Sequence, residues 1–376
     1  MRVLTAVAAM AALLAAVSCE GHPAASTPKA CSGLRRPGVP LAFAPERAPS
    51  PARARCIGAQ YAAVVGQLGW GRLPRLMRRG SAGLLAWQQR SLLYACNGCG
   101  LAGFGLDWVR AHRPNWIMHS ATGTEIHPLE HPGWVLLNFT DPKYDAAWGV
   151  HVRKSLAAGG WTGVEVIDAS NDPDWSEVPV YPSTGEPMTE RQRRQKLAAA
   201  LALVRATVKL GGGYSLLADN GPPSVVDFHQ INSTDVVTVG EGFARVAGAA
   251  WNTVFHYFQK ASGWESGVYV RDDPGLNREQ AVYGLASFML VAIPRGSAYV
   301  GAAAASSPIY QISPGAVPTT PATKDGDVWV RRYPNGVVAV NPSDIGGSVS
   351  MGSAGRVTIP PRSAAIEAGG HLLTSR

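Results

Sequence analysis

The chain is poor in cysteine, with five in 376 residues, and poor in charge, with Asp, Glu, Lys and Arg making up 16%. Beyond the N-terminus it has no apolar run long enough to span a bilayer, which excludes a polytopic membrane protein. No glycine-rich phosphate loop follows the first predicted strand, which excludes the common nucleotide-binding enzymes. Gly211-Gly212-Gly213 precedes a strand, the wrong context for such a loop. No second cysteine pair and no histidine spacing completes a zinc site beside Cys96 and Cys99, so the metal reading is the weaker one and no cofactor is expected. Acidic residues are the scarcer charge, 26 against 34 basic, for a net charge of +8. The excess gathers at Arg72, Arg75, Arg78 and Arg79, and at Arg191, Arg193, Arg194 and Lys196. Both clusters fall in predicted helices without interleaved aromatics, so they read as solvated helix faces rather than a nucleic-acid track.

What the chain does have begins at its start. Residues 1–18 carry one early Arg, then an Ala, Val and Leu stretch, the pattern of an export signal. Cys19 follows Ala-Val-Ser, the setting of a bacterial lipoprotein acylation site, although Ala16 stands where Leu is usual. A lipid anchor at Cys19 and plain secretion are the two readings, and both put the mature chain outside the cytoplasm. Residues 19–36 read as a tether. With Cys19 lipidated, Cys31, Cys56, Cys96 and Cys99 form an even set in an oxidising compartment. Cys96 and Cys99 suit a small loop clip, which leaves Cys31 to pair with Cys56.

The next 260 or so residues alternate β-branched runs with helical patterns, which predicts a TIM (β/α)8 barrel over residues 37–296. The eight expected strands cover 38–43, 83–87, 115–119, 163–167, 214–218, 236–239, 267–270 and 288–293. The expected helices lie around 153–158, over 189–210 and over 243–260. Thr189 heads the second with a capping pattern, and Gly211 to Gly213 ends it. Residues 297–376 lose the helical period and carry Pro-Gly, Asp-Gly and Pro-Asn-Gly turns between alternating runs. They predict a small antiparallel β domain that shares a core with the barrel.

Two of the strands run into carboxylates, at Asp168 and at Glu241. Parallel barrel strands present their carboxyl ends on one rim, where barrel enzymes keep their chemistry, so the two acids are the catalytic candidates. The competing reading is that each caps the next turn. Asp141, Asp219, Glu125 and His119 are further rim candidates for holding a substrate. Each has a plain alternative: a turn before Pro142, a turn into Gly221-Pro222, or a surface group. Trp87, Trp175, Trp116 and Tyr299 lie near predicted strand ends, where flat rings can stack on sugars, and Trp87 and Trp175 are the preferred platforms. Trp161 sits at the opposite end of its strand and reads as structural.

The run Leu136-Leu137-Asn138-Phe139-Thr140-Asp141-Pro142-Lys143-Tyr144, followed by Gly160-Trp161-Thr162-Gly163-Val164-Glu165-Val166-Ile167-Asp168-Ala169-Ser170-Asn171, resembles the stretch of several glycoside-hydrolase barrels that leads into a strand bearing a catalytic Asp. Glu241-Gly242-Phe243, the tail run 332–342 and Ile359-Pro360-Pro361-Arg362-Ser363-Ala364 are similar to the hypothetical glycosyl-hydrolase-like family numbered fifteen. The likeness covers roughly Pro40 to Glu367. It departs at Val164-Glu165, where related barrels often carry Asp-Gly before the strand. It implies a hydrolase of glycosidic bonds, with Asp168 and Glu241 as the acidic pair and no firm substrate; the export signal points to extracellular or envelope polysaccharide. Fold alone does not fix activity, so a carbohydrate-binding lipoprotein with a degenerate barrel is the alternative.

Overall fold

The computed structural model describes residues 40–376 apart from 46, 100, 102, 168, 170–174, 211, 220–227, 240–241, 264–265, 273–274, 295 and 302–306. The expected signal, the tether, Cys19 and Cys31 lie outside the described residues.

Eight short parallel strands form one sheet in the order β1 (Ala42–Phe43), β2 (Ala63–Gly66), β3 (Leu85–Ser91), β6 (Gly163–Ile167), β7 (Ser215–Asp219), β8 (Val236–Thr238), β9 (Gly267–Arg271) and β10 (Ala298–Val300). A parallel bridge between Leu41 and Tyr299 brings the first and last strands together, so the sheet rolls into a barrel. The strand after Trp161 falls at 163–167 as read from the sequence. Two expected strands do not exist. Residues 115–119 run from a 3-10 turn, Pro114–Trp116, into an excursion outside the barrel, and the second barrel strand is Ala63–Gly66 instead. The run 288–293 belongs largely to a helix, and the eighth strand is Ala298–Val300, beyond the boundary read at residue 296.

Strand alternation sorts the side chains. Ala42, Ala63, Val65, Trp87, Leu217, Val236, Tyr269 and Ala298 pack with one another inside the barrel. Their sequence neighbours Val64, Ala86, Val164, Val166, Leu216 and Ala218 join the outer core under the helices. Gly163 faces inward too, where an added Cβ would stand 2.7 Å from Cδ1 of the Trp87 ring. Its missing side chain is the room that ring occupies.

Helices α1 (Pro51–Gln60), α2 (Leu73–Arg78), α4 (Pro142–Gly159), α5 (Glu190–Lys209), α6 (Gly248–Gly263) and α7 (Arg278–Val291) ring the sheet. Between β3 and α4 the chain makes an excursion that holds β4 (Tyr94–Ala95), α3 (Leu106–His112) and β5 (Val135–Leu136). A disulfide joins Cys96 to Cys99 there, with the Cα atoms 5.9 Å apart, and Cys56 of α1 is also disulfide-bonded. Helix α5 starts at Thr189 with the reciprocal Thr189–Gln192 box that its sequence encodes. Asp141 caps α4, its Oδ1 accepting from the Lys143 amide at 2.9 Å, and Gly160 ends that helix at φ 77°. Among the described residues no helix is long and apolar enough to cross a membrane.

A short helix, α8 (Pro308–Gln311), leads to a five-stranded antiparallel sheet of β11 (Thr323–Asp325), β12 (Val328–Tyr333), β13 (Gly336–Asn341), β16 (Ser363–Ala368) and β17 (His371–Thr374). A hairpin of β14 (Gly347–Ser350) and β15 (Arg356–Ile359) covers its far face. Its near face, with Tyr333, Val338, Val340, Ala364 and Ile366, joins the core around α7. That explains why every residue of α7 from Ala281 to Val291 is buried. Arg331, 4% exposed, closes the helix: its guanidinium donates to the carbonyls of Met289, Leu290 and Ala292 at 3.0, 3.1 and 2.6 Å. It also donates to those of Pro318 and Thr320.

Candidate active site

The carboxyl ends of the barrel strands make one mouth, and β6, β7 and β8 are consecutive in it. β6 ends at Ile167, the residue before Asp168 in sequence, and β8 ends at Thr238, three residues before Glu241. Asp168 and Glu241 themselves lie outside the described residues. Asp219 closes β7 between them, half-buried and in register with Thr238.

Inward alternation continues the apolar floor of the barrel into a polar layer. Glu165 is in register with Leu217 on one side and Gln89 on the other, and is 2% exposed. Tyr269 sits among the inner residues with its hydroxyl buried and without a hydrogen-bond partner. Burial raises its pKa well above the ordinary phenol value, and the charges of Glu165 and Asp219 push the same way against Arg271. The phenol held neutral near Glu165 and Asp219 makes a buried polar layer beneath the mouth of the parallel strands.

Just past β9, Asp272 is 1% exposed and fixes the segment that follows Glu241. Its Oδ1 accepts from the amides of Phe243 and Ala244 at 2.9 and 2.8 Å, and its Oδ2 accepts from the Tyr299 hydroxyl at 2.6 Å. Gly242 turns there with φ +59°, and an added Cβ would come within 2.7 Å of the Arg271 carbonyl as well as against the Asp272 carboxylate. Only glycine fits both the backbone conformation and the space.

Several candidates read from the sequence have other occupations. Trp87 is fully buried in the barrel, its Nε1 donating to Ser215 Oγ at 2.9 Å and its ring edge-on to Tyr269. No face of it is open to a sugar, so it is a core residue rather than a platform. Trp116 and Tyr299 are buried in the outer cores and are excluded for the same reason. Trp175 is half-buried, donates to the Tyr94 hydroxyl at 2.8 Å and lies under the Arg193 guanidinium, 5.5 Å from the ring centroid. Glu125 pairs with Arg110 at 2.5 Å, and the hydrogen bond from that guanidinium holds its carboxyl below the ordinary range. His119 bridges Glu125 within the excursion. Asp141 caps α4 and lines a groove on that helix's outer side. Trp161 is buried, as its position implied.

Sequence reasoning passed over Glu165, Tyr269 and Asp272. Glu165 is the one charged residue inside an otherwise apolar strand, which marks an inward polar position in a barrel buried on both faces. Asp272 ends a strand on a carboxylate, the same signal that singled out Asp168 and Glu241. Among the described residues no group of three or more His, Cys, Asp or Glu is arranged to hold a metal ion.

No family model matches the chain, and no curated protein sequence matches it. Solved structures do share its fold. A cycloalternan-degrading enzyme from Trueperella pyogenes, in complex with isomaltose, superposes with a TM-score of 0.51 at 10% identity, over 90% of this chain and 61% of that one. The maltogenic alpha-amylase AmyB from Thermotoga neapolitana gives 0.49 at 10% identity, over 89% and 98%. The glycoside hydrolase domain of PelA from Pseudomonas aeruginosa gives 0.44 at 13% identity, over 71% and 96%. The chain is thus distantly similar in fold to the cycloalternan-degrading enzyme.

Proposed function

We propose that this chain is a glycoside hydrolase that cleaves extracellular or envelope polysaccharide with Asp168 and Glu241 as its carboxylate pair. The observation that carries the reading is the parallel order β6, β7, β8, three neighbouring strands that in sequence lead to Asp168 directly after β6, Asp219 at the end of β7 and Glu241 three residues after β8. The clamp of Asp272 on Phe243 and Ala244 supports it, because it stiffens the chain directly after Glu241.

Glycosidic cleavage needs one protonated carboxyl to give its proton to the leaving oxygen and one carboxylate to attack the anomeric carbon or activate water. Glu241 is the acid and Asp168 the nucleophile or base. Asp219, half-buried at the end of the strand between β6 and β8, holds sugar hydroxyls. The narrower kinship with the family numbered fifteen rests on the motifs around Asp168, Glu241 and the tail. Export, either with a lipid anchor at Cys19 or as a freely secreted protein, is supported by the first 19 residues alone.

The test is a screen of the purified chain against diverse polysaccharides, with product masses read for the wild type, Asp168→Asn and Glu241→Gln. Each variant loses turnover by about 100-fold or more while its thermal unfolding is unchanged. Near-normal release by both overturns the pair. Glycan binding without release by the folded wild type turns the reading to a non-catalytic carbohydrate-binding protein.

A further inference from the structure

The face of α4 that carries Tyr144, Trp148, Val152 and Leu156 packs into the core. Its opposite face looks into a groove of about 730 Å³ shared with α3 and the residues around it. That volume is in the range of small-ligand sites. One wall is a shelf of rings. Phe104 stacks on Trp108 at 5.2 Å and 16°, and Trp108 stacks on His112 at 5.1 Å and 19°. Trp108 is 42% exposed, the one exposed tryptophan among the described residues. An indole held by stacking on two neighbours and still 42% exposed presents apolar area that water covers at a cost.

The other wall is basic. Arg113, Lys143 and Lys154 line the groove, and none of them is in an ion pair among the described residues. The one carboxylate on the lining, Asp141, is committed to the N-terminus of α4. Cations without an ion-pair partner beside a partly exposed indole call for a ligand that brings negative charge together with some apolar surface.

We propose that this groove is a second, non-catalytic site that binds an acidic polysaccharide, with its carboxylates on Lys143, Lys154 and Arg113 and its sugar rings against the exposed part of Trp108. A pyranose ring offers C–H groups to the exposed indole, and a uronate adds a carboxylate at its rim. The groove is lined by α4 and the excursion before it and by no residue of a barrel strand, so it holds a polymer without taking part in cleavage. The proposal deepens the hydrolase reading by naming the charge class of the polymer, and it rests on that reading only for the link to turnover.

The test is isothermal titration of the full chain and of Asp168→Asn with hexagalacturonate, maltohexaose and single-stranded oligo-dT. Hexagalacturonate binds both proteins alike and more tightly than the other two, and its affinity falls with salt. Trp108→Ala weakens it about tenfold. The double variant Lys143→Gln, Lys154→Gln, which changes surface groups only and so keeps the fold, weakens it about fivefold and flattens the salt dependence. Absence of hexagalacturonate binding, or wild-type affinity in both groove variants, overturns the site. Tighter binding of oligo-dT, lost in the same variants, overturns its assignment to a glycan. Cleavage that persists in Asp168→Asn defeats the catalytic assignment while leaving the groove measurement standing.

Discussion

Replacing Asp272 by Asn keeps the shape of the side chain and removes its charge. Among the described residues three donors converge on that carboxylate: the amides of Phe243 and Ala244 and the hydroxyl of Tyr299. Hydrogen bonds to an ionised acceptor are about twice as strong as neutral ones, and each contributes about 1.5–3 kcal/mol. In the Asn variant the amide oxygen still serves the two backbone donors, and its NH2 meets the Tyr299 oxygen, which accepts in place of donating. The loss is therefore about 2–3 kcal/mol, read as a lower urea midpoint at unchanged slope. Asp272→Ala strips all three donors of their partner in a site that is 1% exposed, and costs about 4–5 kcal/mol. The same variants loosen the chain that follows Glu241, so turnover on the substrate found by screening falls by about tenfold or more at temperatures far below the midpoint. A midpoint shift with full turnover would refute the link between the clamp and the site. A stability loss under about 0.5 kcal/mol in Asp272→Asn would refute the clamp itself.

Arg331→Leu removes the guanidinium that serves the last carbonyls of α7 and two loop carbonyls, leaving them buried; a loss of about 3–5 kcal/mol in urea unfolding is expected, and a loss under about 1 kcal/mol would mean that they find other partners. Asp145 in α4 is 3% exposed with its Oδ1 unpaired, and burial, then the charge of Asp141, pushes its pKa up to about 8. The folded chain then binds a proton that the unfolded chain has released, so stability falls as pH rises from about 4 to 8, by at most about 6 kcal/mol. Asp145→Asn removes that fall, and equal urea midpoints at pH 5 and pH 8 in the wild type would contradict it.

The barrel was legible where strands and helices carry local signals. Gly163–Ile167 alternates and ends before a carboxylate, and the Thr189–Gln192 box with its glycine stop marks α5. The errors came where tertiary context decides. Phe288 to Ile293 is a continuous apolar run, and such a run suits a buried strand or a helix wrapped on all sides equally. Asn277 and Gln280 cap that helix with the same reciprocal box as α5, and they were the local cue that settles it. Ala63–Gly66 is only four residues long, too short a run for alternation to mark it as a strand. The tryptophans misled because an aromatic near a strand end is equally suited to the barrel interior, where Gly163 leaves room for Trp87. Glu165 reads in sequence as a departure from a motif; that it joins Asp219 around Tyr269 depends on strand register, which no single strand encodes.

Helix α7 belongs to the barrel ring by its place in the chain, yet its outer side is the inner wall of the C-terminal sheet. The two parts therefore cannot be cut apart at any residue between them. A chain ending after α8 would present the apolar flank of α7 to water and leave the carbonyls now held by Arg331 bare. Such a fragment would aggregate rather than persist as a free barrel, and the intact chain should melt in one cooperative step. Grafting this barrel's loops onto another scaffold, or trimming the chain for expression, has to carry the tail along. The sheet at the end of the chain is the last piece of the barrel's own wall.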